Sequence, residues 1–229
     1  MIKMKQKLVM LIIVLFTIFS AVKAQDYNNT IRWSPINLAL NQLNLGWEQN
    51  HGKNSLILDI GIPINRSIET SGYSFTKFGT ESIRVGYRFY TTNKIKKYGL
   101  YLEPYFRTTT FRLDGIPQGQ TAKFTSFLNT DALGLQAGYQ FILSKNIVID
   151  FYFAGLEGGR AHGWIDSNCG SNINALKMND FILSKVKNTF PTYIVNHFQG
   201  GIYDGRCAYE ITNFAYPMFR GGFAIALQF

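Results

Sequence analysis

The chain has 229 residues, 46% hydrophobic and 15% aromatic, with 23 basic against 14 acidic side chains and a formal charge of +9. That length suits one domain with a full core, or one barrel. No lysine/arginine cluster alternates with stacking aromatics and no histidines stand at metal-ligand spacing, so nucleic-acid partners, metals and cofactors are not expected.

Lys3, Lys5 and Lys7 precede an apolar stretch from Leu8 to Phe19, and Val22-Lys23-Ala24 puts small residues three and one before a cut. This predicts a secretory signal peptide over residues 1–24 and a mature domain over 25–229. The stretch falls short of the ~20 residues of a membrane helix, which makes a retained anchor the weaker alternative. Four lysines and no acids lie in the leader, so the mature excess is +5 rather than +9. No cysteine follows the cut, which argues against a lipoprotein. No later apolar run approaches ~18 residues, which excludes helical spanning.

Past Ile31 the dominant signal is alternation with period two. Ile31 to Leu40 supplies a first strand with a tight bend near Asn41-Gln42, although Pro35 must then sit at an edge or bulge; one bent strand from Arg32 to Gln49 is the alternative. Leu43 to Gln49 follows, and His51-Gly52-Lys53 turns into a strand from Ser55 to Ile64. Next, Ile83, Val85, Tyr87 and Phe89 oppose Ser82, Arg84, Gly86 and Arg88. Thr92 to Lys97 turns into the fifth strand, which ends near Leu113. Leu133, Leu135, Ala137, Tyr139 and Phe141 then oppose Gly134, Gln136, Gly138 and Gln140. After the turn Ser144-Lys145-Asn146, Ile147, Ile149, Phe151 and Phe153 oppose Val148, Asp150, Tyr152 and Ala154. The last strand sets Phe219, Gly221, Phe223, Ile225, Leu227 and Phe229 against Arg220, Gly222, Ala224, Ala226 and Gln228.

The second faces carry mostly glycine, alanine, glutamine and single charges, where a soluble sandwich would carry lysine, glutamate, threonine and serine. Small residues inside and bulky apolar residues outside suit a cylinder in hydrocarbon. Connection lengths agree: three short turns alternate with longer segments at Asn65 to Phe78, Leu113 to Phe127 and Gly158 to Tyr216, as short periplasmic turns alternate with long outer loops. The expected fold is all-β, a closed antiparallel eight-stranded transmembrane β-barrel with a long, partly helical outer loop over 158–216. Trp47, Phe89, Tyr90, Tyr98, Tyr139, Phe141 and Phe229 gather near the short-turn end, where an interfacial girdle belongs.

Facing the polar residues inward collects Glu48, Asp59, Glu103 and Asp150 with Arg84, Arg88, Arg107 and Arg220. An eight-stranded barrel is only just wide enough for its own side chains, and unpaired charge inside is costly. A balanced ionic plug is therefore expected, with no diffusive pore.

In the long loop, Ile173, Leu176, Leu183, Val186 and Phe190 recur at helical spacing behind Ser171 or Asn172, predicting a helix from Asn172 to Asn188. Cys169 and Cys207 are the only cysteines. Outside the cytoplasm a bridge between them would stabilise by roughly 3–4 kcal/mol in the chain-entropy model. His162, Asp166 and Ser167 offer the only cluster for hydrolytic chemistry, without a surrounding motif. His51 sits in a short turn and His197 in the loop, neither with a nameable partner.

The closing Phe223-Ala224-Ile225-Ala226-Leu227-Gln228-Phe229 looks like the signal read by the barrel-assembly machinery. Arg32-Trp33-Ser34-Pro35-Ile36-Asn37 with Leu45-Gly46-Trp47-Glu48 is similar to first hairpins of outer-membrane barrel families in Bacteroidota. The whole mature chain thus resembles small barrels of the OmpA-transmembrane and OmpX type. That resemblance implies the cell outer membrane, contact with its lipid and lipopolysaccharide, and no single activity. The expected role is structural or surface-interacting and not enzymatic; the alternatives are a lipid-modifying barrel acyltransferase or deacylase, or a soluble secreted lipocalin-like binder.

Overall fold

A computed structural model describes residues 29–64, 66–70, 73–91, 99–117, 123–144, 146–168, 180, 184, 196–203 and 206–229. Among them the chain forms β1 (Asn29–Trp33), a 3-10 helix (Pro35–Leu40), β2 (Gln42–His51), β3 (Asn54–Pro63), β4 (Arg66–Thr70), β5 (Tyr73–Tyr90), β6 (Gly99–Pro117), β7 (Phe124–Ile142), β8 (Ile147–Asn168), β9 (Phe198–Tyr203) and β10 (Arg206–Gln228). β1, β2, β3, β5, β6, β7, β8 and β10 pair antiparallel in that order, and β10 pairs back onto β1. The protein is all-β, and eight strands form a ring. β4 adds to β5, and β9 adds to β10.

Closure runs from Thr30↔Gln228 to Trp33↔Ile225, and the Phe229 N–H donates to the Asn29 carbonyl at 2.9 Å. A ring in which first and last strands share a ladder leaves no edge there for another chain to pair with. The period-two pattern sets the two faces of the wall. On β5 Ile83, Val85, Tyr87 and Phe89 are exposed while Arg84 and Arg88 are buried. Phe151, Ile225 and Leu227 likewise point outward and are exposed, whereas Ala224 and Ala226 are buried. At the short turn of β2 and β3, His51 pairs with Asn54, and Gly52 takes the left-handed φ of 60° that the tight reversal needs.

The predicted first strand stops early. Strand geometry ends at Trp33, and Pro35 opens the 3-10 helix, which Asn41 closes at φ 51° with its N–H on the Leu38 carbonyl. Proline has no N–H for a ladder, and its fixed φ suits the first helical position. The alternative of one bent strand from Arg32 to Gln49 is excluded for the same reason.

Strand runs into all three predicted long connections. β4 and the start of β5 occupy most of Asn65 to Phe78, β6 and β7 reach Pro117 and Phe124, and β8, β9 and β10 take much of 158–216. The ladder needs only backbone groups, so it continues past the point where hydropathy stops alternating. Residues 1–24, the turn 92–97, Tyr98, Lys145, Cys169 and the predicted helix 172–188, apart from Asp180 and Ser184, lie outside the described residues.

The inward–outward assignment of β8 changes partway along. Against both neighbours the register slips at Phe153–Ala154, between Ala137 and Gly138 of β7 and between Arg220 and Gly222 of β10. The extra residue is a β-bulge. Ala154, predicted to face inward, is exposed, and the inward face resumes with Gly155 and Glu157, both buried.

Large inward side chains need gaps opposite them. A Cβ placed on Gly134 would collide with the Tyr105 ring and hydroxyl, whereas one on the outward Gly158 would meet nothing within 4 Å. Gly134→Val is therefore expected to destabilise by about 1–3 kcal/mol through overpacking. Gly158→Ala should leave the urea midpoint of the purified protein unchanged.

Candidate functional site

The inward faces of β1, β2, β3, β5, β6 and β8 bring three guanidinium groups onto four carboxylates, all nearly or fully buried. Arg88 is the hub. Its Nε donates to Glu103 Oε2 at 2.8 Å, its Nη2 to Asp150 Oδ2 at 2.8 Å and its Nη1 to Glu48 Oε2 at 3.3 Å. Its Cζ lies 3.8 Å from the centre of the Tyr101 ring. Arg84 forks onto Asp59 through Nε and Nη2 and reaches Glu103 Oε1 through Nη1 at 2.7 Å. Arg32 completes the set, 3.4 Å from Asp59, 3.3 Å from Asp150 and 3.9 Å from Glu48.

Neutral groups occupy further lone pairs on three of these acids. Ser55 and Tyr90 each donate to Glu48 at 2.6 Å, Tyr101 donates to Asp150 at 2.8 Å, and the Gln136 amide donates to Glu103 at 2.9 Å. Such sharing matters because a buried carboxylate keeps its charge only when several donors replace water.

A second group adjoins the first. Glu157 accepts from Arg107 at 2.5 Å and from the Tyr105 hydroxyl at 2.9 Å. Arg220 forms no ion pair among the described residues; its guanidinium lies 5.5 Å from the Tyr105 ring centre and 5.3 Å from that of Tyr152, a cation–π arrangement. Among the described residues Arg32, Arg84, Arg88, Arg107 and Arg220 face Glu48, Asp59, Glu103, Asp150 and Glu157, and with all ionised these ten groups sum to no net formal charge.

Of the eight residues predicted for this network, Glu48, Asp59, Arg84, Arg88, Glu103 and Asp150 form one connected cluster. Arg107 joins Glu157 instead, and Arg220 stacks without an acid. Two members were missed. Arg32 sits on the short first strand, where Ile31 and Trp33 flanking it outward were the available signal. Glu157 lies past the bulge, and uninterrupted alternation assigns it to the outer face. Tyr90, expected in the girdle, points inward to Glu48, while Phe89, Tyr139, Phe141 and Phe229 are exposed and Trp47 is half-buried.

In the closing segment Ile225, Leu227 and Phe229 are exposed, and Phe223 is half-buried with its ring 6.0 Å from Phe151. Cys207 is buried on β10, and its proposed partner Cys169 lies outside the described residues. His162, Asp166 and Ser167 are not brought together. His162 and Asp166 share the outer face of β8 four residues apart, roughly 13 Å along a strand. Ser167 turns to the opposite, buried face, where its hydroxyl donates to the Lys123 carbonyl at 3.1 Å. Asp166 pairs instead with Arg206 at 2.7 Å.

Comparison of the chain with protein-family models, with curated proteins and with solved structures finds no match. The functional reading therefore rests on geometry.

Proposed function

We propose that the chain is an outer-membrane β-barrel with a structural or surface-interaction role, its lumen plugged by the ionic network. The observation that carries this reading is inverted burial. Leu133, Phe153, Leu156 and Phe219 are 70%, 63%, 62% and 85% exposed, while Glu48, Arg88, Glu103 and Asp150 are 0% exposed. In water each Å² of that apolar surface costs ~25 cal/mol, and soluble monomers rarely expose contiguous apolar patches above a few hundred Å². Hydrocarbon removes the cost. On β8 the outward apolar residues span Ile147 to Leu156, the length of the ~9–11-residue membrane strand.

The same geometry argues against the alternatives. A lipocalin-like binder needs an apolar cavity, and this interior is ionic at its centre. A lipid-modifying enzyme needs its nucleophile within reach of a base, and Ser167 faces away from His162. In the proposed setting the outward belt contacts outer-membrane lipid and lipopolysaccharide. The segment Phe223 to Phe229 is then the sequence the assembly machinery reads.

Heat-modifiable gel migration of the full chain, recovered from outer-membrane fractions, is the expected result. Recovery in the soluble periplasm would overturn the proposal.

A further inference from the structure

The wall does not end with the apolar belt. On β8 the outward positions continue from Leu156 through Gly158, Arg160 and His162 to Trp164 and Asp166. Trp164 stands eight residues beyond Leu156, so at ~3.3 Å per residue and a tilt of ~35–45° it lies roughly 20 Å above the belt. Interfacial aromatics sit at headgroup level. Trp164 is too far out for that duty, yet it is 43% exposed.

Its neighbours form a built depression. One cross-strand row runs Phe127, Trp164, Glu210, Gln199 over β7, β8, β10 and β9, and the next runs Thr125, Asp166, Ala208, Gly201. The Phe127 and Trp164 rings lie near parallel at 17°, with centroids 6.1 Å apart. Ala208 and Gly201 leave the floor low, and a Cβ on Gly201 would meet nothing within 4 Å. The hollow measures about 780 Å³ and is lined by His162, Trp164, Asp166, Gln199, Arg206 and Glu210, within the ~300–1,000 Å³ of small-molecule sites. Glu210, Gln199 and His162 are exposed, the Arg206 guanidinium is open to solvent beyond its bond to Asp166 Oδ2, and Asp166 Oδ1 is a buried acceptor with no hydrogen-bond partner among the described residues.

We propose that this outward face of β8, β10 and β9 binds neutral or amino-sugar residues of the glycolipid that surrounds the protein in its own outer leaflet. A pyranose presents an apolar face of C–H groups and a rim of hydroxyls. The Trp164 indole takes the face. Glu210, Gln199, Asp166 and Arg206 take the hydroxyls. Two carboxylates against one guanidinium repel phosphate, which excludes a polyanion and leaves uncharged or amino sugars. The site opens sideways from the wall, toward molecules anchored in the same membrane. The inference takes its height and its ligand from the barrel reading.

The test uses the purified full chain in detergent micelles and, as probe, the delipidated oligosaccharide released by mild acid from the producing bacterium's lipopolysaccharide, followed by calorimetry. Saturable binding is expected, weakened at least tenfold by Trp164→Ala and by Glu210→Ala, largely kept by Trp164→Phe, and not competed by inorganic phosphate. No binding, binding equal in Trp164→Ala, or binding only to glycans the cell does not make would overturn the proposal. Both alanine variants alter exposed residues and should keep heat-modifiable migration, so failure here is separable from failure of the barrel reading.

Discussion

Arg88→Met is expected to destabilise the folded protein by about 3–5 kcal/mol, the cost of stripping one partner from a buried ionic cluster. Arg88 donates to Glu48, Glu103 and Asp150 at once and covers the Tyr101 ring. Its removal leaves three fully buried carboxylates short of a donor. Lysine does not replace it, because a point charge cannot span three acids set around a planar fork. Adding Asp150→Asn to Arg88→Met should recover part of the loss, since it removes one orphaned charge; a double-mutant cycle reads that coupling. Arg107→Met should cost less, because Arg107 is 17% exposed and meets a single acid. Urea midpoints of the folded protein in vesicles, with Asp150→Asn alone closing the cycle, measure these effects. A wild-type midpoint for Arg88→Met would mean that the cluster is not what rigidifies the interior.

Val85→Arg is expected to cost about 2–4 kcal/mol if Val85 faces the bilayer middle, and to lie within ±0.5 kcal/mol if it faces water. Val85 is 44% exposed on the outer face of β5, paired with the outward Leu58 and Phe106. No contact inside the ring involves it, so a large penalty can come only from what surrounds the ring. His51→Arg, in the exposed short turn, should be neutral in either medium. Folding yields into vesicles and urea midpoints separate the two outcomes, and a neutral Val85→Arg would remove the membrane from the account.

Much of this arrangement was legible in the residues. Alternation at Ile83–Phe89 and at Leu133–Phe141 is enough to say which side chains share a face, because successive strand residues must point opposite ways. Pairing arginines with acids on the small-residue face follows from the cost of isolated buried charge. The bulge was not legible. No residue near Phe153 announces it, and it exists because β8 must match the registers of β7 and β10 together. From that single extra residue follow the exposure of Ala154 and the entry of Glu157 into the interior.

Local chemistry therefore determined the β class, the inside-out distribution of bulk and charge, and six members of the central cluster, since each depends only on period two and on a residue's own solvation. The ring's closure through a five-residue β1, the strands that outrun their apolar alternation and the separation of Ser167 from His162 were decided by tertiary structure. Each depends on ladder register between strands far apart in the chain, and backbone hydrogen bonds set that register without regard to side-chain hydropathy.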